Sequence, residues 1–492
     1  MSAIGIAGRG SPGSYRPARI AGRGALLALF LAGFLAVGAR CDAAADGPVL
    51  DITVDPRSIA QEIEHFGASA AWWAQYIGAW PEGARERILD LLFDPVKGIG
   101  LDLVRYNIGG GKAEARIADP WRSAESPLRA DGGLDWSRDA AAMAIVDGAV
   151  KRGARVLLFF NSPPAPMTVT GSPTGNGRSS NLRADSREPF ARFLARCARE
   201  LGSRWPIAAI SPMNEPQWDW QPAKGQEGAR YSPREARDLL STVARVFREE
   251  GIDLSLSAID SGDWKLEHNK AYVEAILSDP GLKTALTGYA LHSYWSKDSD
   301  RVAFAAWIAK KWPGSRLWMT EWTEMRPGKD LGMRAALALA ETVHEDLCLG
   351  GASSWQYWIA VSKYDYADGL IYANELERSF EASKKLWALG NWSKFVEPGA
   401  VRLSCEADRA AGLRVSAFRN PDRSLVVVAI NSGERASPPL RVVIAGKPVP
   451  SEEIELWETS AELDLRPREL SPDGTIKLPI RSVTTIVVSG TY

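Results

Sequence analysis

The feature that most constrains the fold is an alternation. From about residue 60 to about residue 390, short apolar runs rich in β-formers alternate with amphipathic segments of helical spacing, eight times over. The runs are HFGASAA, LDLVRYN, RVLLFFNS, IAAISPMN, LSLSAID, GYALHSY, RLWMTEW and ASSWQYW. Near-continuous apolar runs of this length are what strands buried on both faces require, and helices between them place the strands parallel. The helices carry their own signals. GARERILDLLFD follows the first run, and SPREARDLLSTVARVFREEG follows the fourth, with Ser232 as N-cap, Pro233 in the first turn, Glu235 as capping-box partner and Gly251 at the end. Eight such units predict an α/β fold, a (β/α)8 TIM barrel over 61–390.

The pattern changes at both ends. Beyond 390, LRVSAFRNPDRSLVVVAINSG holds two β-rich runs joined by a Pro-Asp turn, and GTIKLPIRSVTTIVVSG continues in the same style. These predict an antiparallel β-sandwich domain over 391–492, to which an N-terminal strand within 46–60 (VLDITVDP) adds. Residues 1–45 read as a signal peptide. Arg16, Arg19 and Arg23 precede ALLALFLAGFLAVGA, and AAADG offers a small-residue cleavage site near Ala45. The apolar run is short for a membrane span. The expectation is a secreted or periplasmic protein. Cys41 admits lipoprotein anchoring as a minor reading, against which Arg40 stands. The remaining Cys197, Cys348 and Cys405 show no close spacing and allow at most one disulfide.

Charge and metal-type residues narrow the function. Formal net charge is −1 and no long basic stretch follows residue 45, which argues against a nucleic-acid partner. Four His, without HExxH or clustered Cys/His spacing, argue against a metal site. The 19 Trp suit either a large core or the stacking of sugar faces.

Chemistry in such a barrel sits at the C-terminal ends of the strands. Those ends carry Arg105 and Asn107, Asn161 and Ser162, Asn214 and Glu215, Asp260, His292 and Tyr294, Glu321, then Trp355, Gln356 and Trp358. Glu215 and Glu321 therefore face each other across the barrel mouth. Two carboxyl groups about 5 Å apart are what hydrolysis of a glycoside with retention needs: one protonated to give a proton to the leaving oxygen, one ionised to attack the anomeric carbon. Asn214 suits a hydrogen bond to the sugar 2-hydroxyl. Tyr294 would orient Glu321, and Arg105 would keep it ionised. Apolar rings around Glu215 would keep it protonated. Trp73, Trp218, Trp220 and Trp295 are candidate stacking walls, and His292 is a candidate contact. Asp365 and Asp368 in SKYDYADG either meet a substrate hydroxyl or form a solvated loop. Each residue alone has an ordinary structural explanation, such as an ion pair at a strand end or a core Trp. Their recurrence at successive strand ends points to a site.

The stretches EHFGASAAWWAQYIG, VRYNIGGG, FFNSPPAPMTVTG, ISPMNEPQW, GQEG, LHSYW, WMTEW and SSWQYW, in this order, resemble glycoside hydrolase family 30 across nearly the whole chain after residue 45. The resemblance implies Glu215 as acid/base and Glu321 as nucleophile, with substrate contacts at Arg105, Asn214, Tyr294 and Trp355. No cofactor is expected, because both roles belong to carboxyls; the expected partner is a polysaccharide or oligosaccharide, and the expected state a monomer. ASAAWWA, NIGGG and SPPAPMTVTGSPTGN are most similar to the endo-β-1,6-galactanase branch. FGASAAWW in the first strand and Thr323-Glu324 after the seventh depart from common family patterns, and so leave the sugar open. The alternatives are the same chemistry on β-1,6-glucan, xylan, a fucoside or a glucosyl lipid, or a non-catalytic carbohydrate-binding protein on this scaffold.

Overall fold

The structure is a computed structural model that describes residues 48–490. The signal peptide read over 1–45, its cleavage site and Cys41 lie outside the described residues. Eight strands close into a parallel barrel: β2 (His65–Ser69), β3 (Leu103–Asn107), β4 (Arg155–Phe159), β5 (Ile207–Ser211), β6 (Leu256–Ser261), β7 (Leu286–His292), β8 (Leu317–Trp322) and β9 (Ser354–Tyr357). Each of the eight apolar runs supplies one strand. Side chains alternate between the barrel lumen and the helix layer. Leu103, Leu157, Ala209, Ala290 and Trp318 fill the lumen as a packed floor. Gly67 is fixed by this filling, because a Cβ there would lie 2.7 Å from the Leu103 carbonyl oxygen. The expected capping box opens the helix Pro233–Glu249: Ser232 Oγ accepts from the Glu235 amide, and the Glu235 carboxylate accepts from the Ser232 amide at 2.8 Å.

Above the floor the lumen turns polar, and two register slips help to aim it. Between β7 and β8, Leu291 pairs with Met319 but His292 with Glu321. The extra residue brings Glu321 to the mouth beside Thr320, where strict alternation would turn it outward. A second slip, between Ile259 and Ser261 on β6, leaves Asp260 in the left-handed region at φ 53°.

After β9 come three short strands, β10 (Val361–Ser362), β11 (Ile371–Asn374) and β12 (Ser379–Ala382), and then the helix Lys384–Ser393. The rest of the chain forms a nine-stranded sheet with β1 (Leu50–Glu62). Its members are β13 (Val401–Ala407), β14 (Arg414–Arg419), β15 (Leu425–Asn431), β16 (Leu440–Ile444), β17 (Lys447–Pro448), β18 (Ile454–Thr459), β19 (Arg466–Arg468) and β20 (Ser482–Val488). Their order is β17-β16-β1-β13-β14-β15-β20-β18-β19. Pairing is antiparallel except between β1 and β16, so the strand from the N-terminal side is stitched between two strands of the C-terminal region. The Pro-Asp turn joins β14 to β15 as expected.

β15 shows why its sequence reads LVVVAIN without polar breaks. Leu425, Val427 and Ala429 face the core internal to the sheet. Val426, Val428 and Ile430 face the core shared with the barrel. Each fully buried aliphatic side chain contributes about 1.5–3 kcal/mol, so the second domain is fused to the barrel by a largely apolar interface. Cys197, Cys348 and Cys405 are free thiols. No helix among the described residues is long and apolar enough to cross a membrane.

Candidate active site

Arg105 is the hub of the barrel mouth. It is fully buried, its guanidinium lies 3.7 Å over the Phe159 ring, and it donates to three acceptors. Nη1 reaches Glu321 Oε2 at 2.6 Å; Nη2 reaches Asn214 Oδ1 at 2.7 Å and Asp260 Oδ2 at 3.1 Å. Asp260 is itself held by Ser211 Oγ at 2.6 Å and Thr320 Oγ1 at 2.7 Å. The buried cation thus faces two carboxylates, with both of its Nη groups hydrogen-bonded, which offsets much of the cost of burying the ion pair.

Glu321 takes its second hydrogen bond from Tyr294 Oη, 2.9 Å from Oε1. Glu215 sits opposite. Its amide donates to the Asp260 carbonyl at 2.9 Å, and its own carbonyl accepts from Trp220 Nε1 at 3.0 Å. These bonds hold Glu215 in the left-handed region, φ 46°, a conformation that non-glycine residues keep only where surroundings over-determine it. Gly262 leaves the room: a Cβ there would lie 2.7 Å from Trp218 Nε1 and 3.0 Å from Glu215 Oε1. Burial pushes the Glu215 carboxyl up to about 8, against the opposing pull of Arg105 and the Trp218 indole. His292 Nδ1 lies 3.0 Å from Glu215 Oε1, and burial pushes this imidazole down, toward the neutral form.

One oxygen of each glutamate and a ring nitrogen of His292 lie within 4.8 Å of one another. The same trio meets the distance requirement of a metal site. Electrostatics oppose it, because the Arg105 cation already occupies Glu321 at 2.6 Å.

The two carboxyls open into a cleft of about 540 Å³, also lined by Asn161, Asn214, Tyr294 and Thr323. Its outer walls come from loops: Trp72, Arg122, Gln226, Trp295, Met325, Trp358 and the segment 364–368. Arg122 lies 5.2 Å from the Trp72 ring and 5.4 Å from the Tyr364 ring. Trp295 is 59% exposed and meets Trp218 edge-on.

Several expectations change at this point. Trp73 is fully buried and donates from Nε1 to the Ser69 carbonyl at 2.8 Å; it belongs to the core, and Trp72 faces the cleft in its place. Trp355 is fully buried against the helix layer, donating to Asp346 at 2.9 Å, and cannot touch a substrate in this arrangement. Strand parity explains it: Trp355 and Tyr357 point outward, while Trp358, beyond the end of β9, reaches the cleft. Trp220 is buried under Glu215 and supports it from behind. Arg105 and His292 are buried behind the two carboxyls and act through them. Arg122 escaped the sequence reading, while Gln226 in GQEG and Tyr364 and Tyr366 in SKYDYADG lay in quoted stretches without being assigned a role.

Comparison with known proteins agrees with this geometry. The model of O-glycosyl hydrolase family 30 matches residues 49–372, and that of the family's β-sandwich domain matches 399–486. The chain is 26% identical over 354 residues to the glucuronoxylanase XynC of Bacillus subtilis, covering 69% of this chain and 75% of that one. It is 22% identical over 320 residues to the lysosomal acid glucosylceramidase of Mus musculus, covering 60% of each. Among solved structures, a conserved exported protein of Bacteroides fragilis superposes with a TM-score of 0.80 at 26% identity, over 90% of this chain and 100% of that one. The chain belongs to glycoside hydrolase family 30.

Proposed function

We propose that the chain is an exported, retaining β-glycoside hydrolase acting on a β-1,6-linked galactan or a related plant polysaccharide. The observation that carries the mechanism is the carboxyl pair. Its spacing, under 4.8 Å between the nearest oxygens, suits direct attack, for which carboxyls about 5–5.5 Å apart are typical; inversion needs about 6.5–9.5 Å, to admit water. The two environments also differ. Glu321 accepts from a guanidinium and a phenol, donors suited to an anion. Glu215 is a buried acid that stays protonated below about 8.

In the first step a Glu321 oxygen bonds the anomeric carbon while Glu215 passes its proton to the departing glycosidic oxygen. In the second, Glu215 takes a proton from water, the hydroxide oxygen bonds the same carbon, and Glu321 leaves as carboxylate. His292 holds the Glu215 oxygen. Asn214, whose Oδ1 is taken by Arg105, has its amide hydrogens left for the sugar. Trp72, Trp358 and Trp295 offer ring faces to pyranose units.

The galactan reading rests on the ASAAWWA, NIGGG and SPPAPMTVTGSPTGN stretches. A second reading has one observation behind it. Arg122 lines the cleft and makes no ion pair among the described residues, which suits a uronate-bearing chain such as glucuronoxylan. Product analysis by mass spectrometry on β-1,6-galactan, β-1,6-glucan and glucuronoxylan decides between them. Release of galacto-oligosaccharides is expected; turnover of xylan alone would remove the galactan reading. An intact protein inert on all three, yet binding one of them, would indicate a carbohydrate-binding protein.

A further inference from the structure

The segment SKYDYADG after β9 contributes two aspartates to the cleft wall, and the structure separates them. Asp365 is exposed, and its Oδ1 accepts from the Lys329 amide at 2.8 Å. Its carbonyl accepts from the Gly328 amide at 3.1 Å. Asp365 closes a turn and its bonding is complete.

Asp368 is different. It lines the same cleft as Glu321 but is only 8% exposed. Its Oδ1 is buried without any hydrogen-bond partner. A buried acceptor left open at the edge of a binding cleft calls for an explanation, because such groups are nearly always satisfied.

The surrounding backbone is pinned with unusual completeness. Lys385 is fully buried, and its Nζ donates to the Ala367 carbonyl at 2.8 Å and to Tyr372 Oη at 3.2 Å. Tyr372 Oη in turn donates to the Tyr366 carbonyl at 2.8 Å and accepts from the Gly369 amide at 3.3 Å. Residues 366, 367 and 369 are therefore all fixed by one lysine–tyrosine pair. The Asp368 carbonyl lies 3.1 Å from Thr323 Oγ1, two residues beyond Glu321 and itself in the cleft wall. Neighbours on every side are tied down, and one carboxylate oxygen is left over. This is how a recognition group is built: a polar atom held rigidly and kept unsatisfied until the ligand arrives.

We propose that Asp368 is a specificity-determining residue whose carboxylate hydrogen-bonds a hydroxyl of the sugar unit held against Glu321, with Lys385 as the buried residue that positions it. The proposal rests on the glycosidase reading for its substrate class. Most of the discrimination would come from the underbonded carboxylate: a sugar lacking that hydroxyl would leave it unmatched inside the complex.

The test uses Asp368→Ala and the nearly isosteric Asp368→Asn, with the best-cleaved aryl β-glycoside and its monodeoxy analogues. In the unmodified protein one deoxy analogue should lose about 100-fold in kcat/KM. Asp368→Ala should lose about as much on the parent glycoside and nothing further on that analogue. Asp368→Asn should fall between and melt at the same temperature as the unmodified protein, so it carries the test if the alanine variant does not fold. A loss spread evenly over all analogues, or under about threefold on the parent, overturns the proposal. If the unmodified protein cleaves no glycoside, the glycosidase reading falls by itself. Calorimetric binding of the same glycosides to Glu321→Gln and to Glu321→Gln/Asp368→Asn then decides about Asp368. Weaker binding in the double variant supports it; equal binding, or none in either, overturns it.

Discussion

The cleft has two regions built on opposite principles. The inner region, at the strand ends, is Arg105, Asn214, Glu215, Asp260, His292, Tyr294 and Glu321. Every one of these side chains bonds another member of the group, and they come from β3, β6, β7 and β8 and the residues just past β5 and β7. The outer region is Trp72, Arg122, Trp295, Met325, Trp358 and the 364–368 segment, all outside the barrel strands. There the exposed groups include Trp295 at 59% and Met325 at 52%. In the proposed mechanism, chemistry that must not move would be carried by the barrel, and sugar recognition by segments that can be rebuilt without disturbing it. The relatives fit this division, since a glucuronoxylanase and a glucosylceramidase share the frame.

The comparison breaks most severely at Glu321. Glu321→Gln keeps the shape and removes the proposed nucleophile, so turnover should fall by about 10⁴-fold or more, with sugar binding retained. Steady-state rates beside calorimetry check it; retained turnover would remove Glu321 from its role.

Arg105→Met strikes the same network from behind. It leaves Asp260 and Glu321 as buried carboxylates without their cation, and removing one partner of such a pair costs about 3–5 kcal/mol. Activity should drop by about 10²–10³-fold, together with a lower midpoint in chemical denaturation. If stability alone changed, Arg105 would be a structural ion-pair partner only.

Glu215 gives the pH dependence. Burial raises this carboxyl from its ordinary value to about 8, so the proton-donating form is lost above that pH. The alkaline limb of kcat/KM should fall near pH 8, about tenfold per pH unit beyond it. The same shift has a stability consequence. A carboxyl raised in the folded state stabilises the fold below its unfolded value, and that contribution is lost as pH rises through about 8. Glu215→Gln should therefore flatten the decline in stability between pH 5 and pH 9. Some slope should remain, because Glu227 is also raised by burial to about 8. An unchanged decline would mean that Glu215 ionises freely in the folded protein.

Legibility in the sequence follows the same division. The eight strands were readable because the floor of the lumen and the helix layer are both apolar, which leaves a plain signal in runs such as RVLLFFNS. Glu215 and Glu321 were readable because a carboxylate at the end of such a run is costly without a task. Trp73 and Trp355 were misplaced for geometric reasons. Trp72 and Trp73 are adjacent, and which one enters the cleft depends on the turn after Ser69, where Trp73 anchors itself by bonding the Ser69 carbonyl. Trp355 lies on the outward parity of β9, and parity could be assigned only once the lumen-facing residues were known. The register slip that brings Glu321 to the mouth has no sequence mark at all. Arg122 reaches the cleft through long-range packing that no local pattern encodes.

The smallest effect belongs to the outermost residue and sharpens the comparison from its other side. Trp295 follows Tyr294, which bonds Glu321 directly, so the two neighbours test whether inner and outer regions are energetically separate. Trp295 is mostly exposed, sits in the left-handed region at φ 50°, and has a ring contact with Trp218 at 6.2 Å. Little folding energy depends on so exposed a ring, and relief of the backbone conformation does not come with alanine, which shares the same φ restriction. Trp295→Ala should melt within about 2 °C of the unmodified protein. One sugar-stacking contact at a partly wet site is worth about 1 kcal/mol, so KM on a long polysaccharide should rise roughly fivefold with kcat nearly constant. On a short aryl glycoside that does not extend to the rim, neither constant should change. A loss of kcat on the short substrate would show that Trp295 acts through Tyr294 on the nucleophile, and the boundary between the two regions would then have to be drawn outside it.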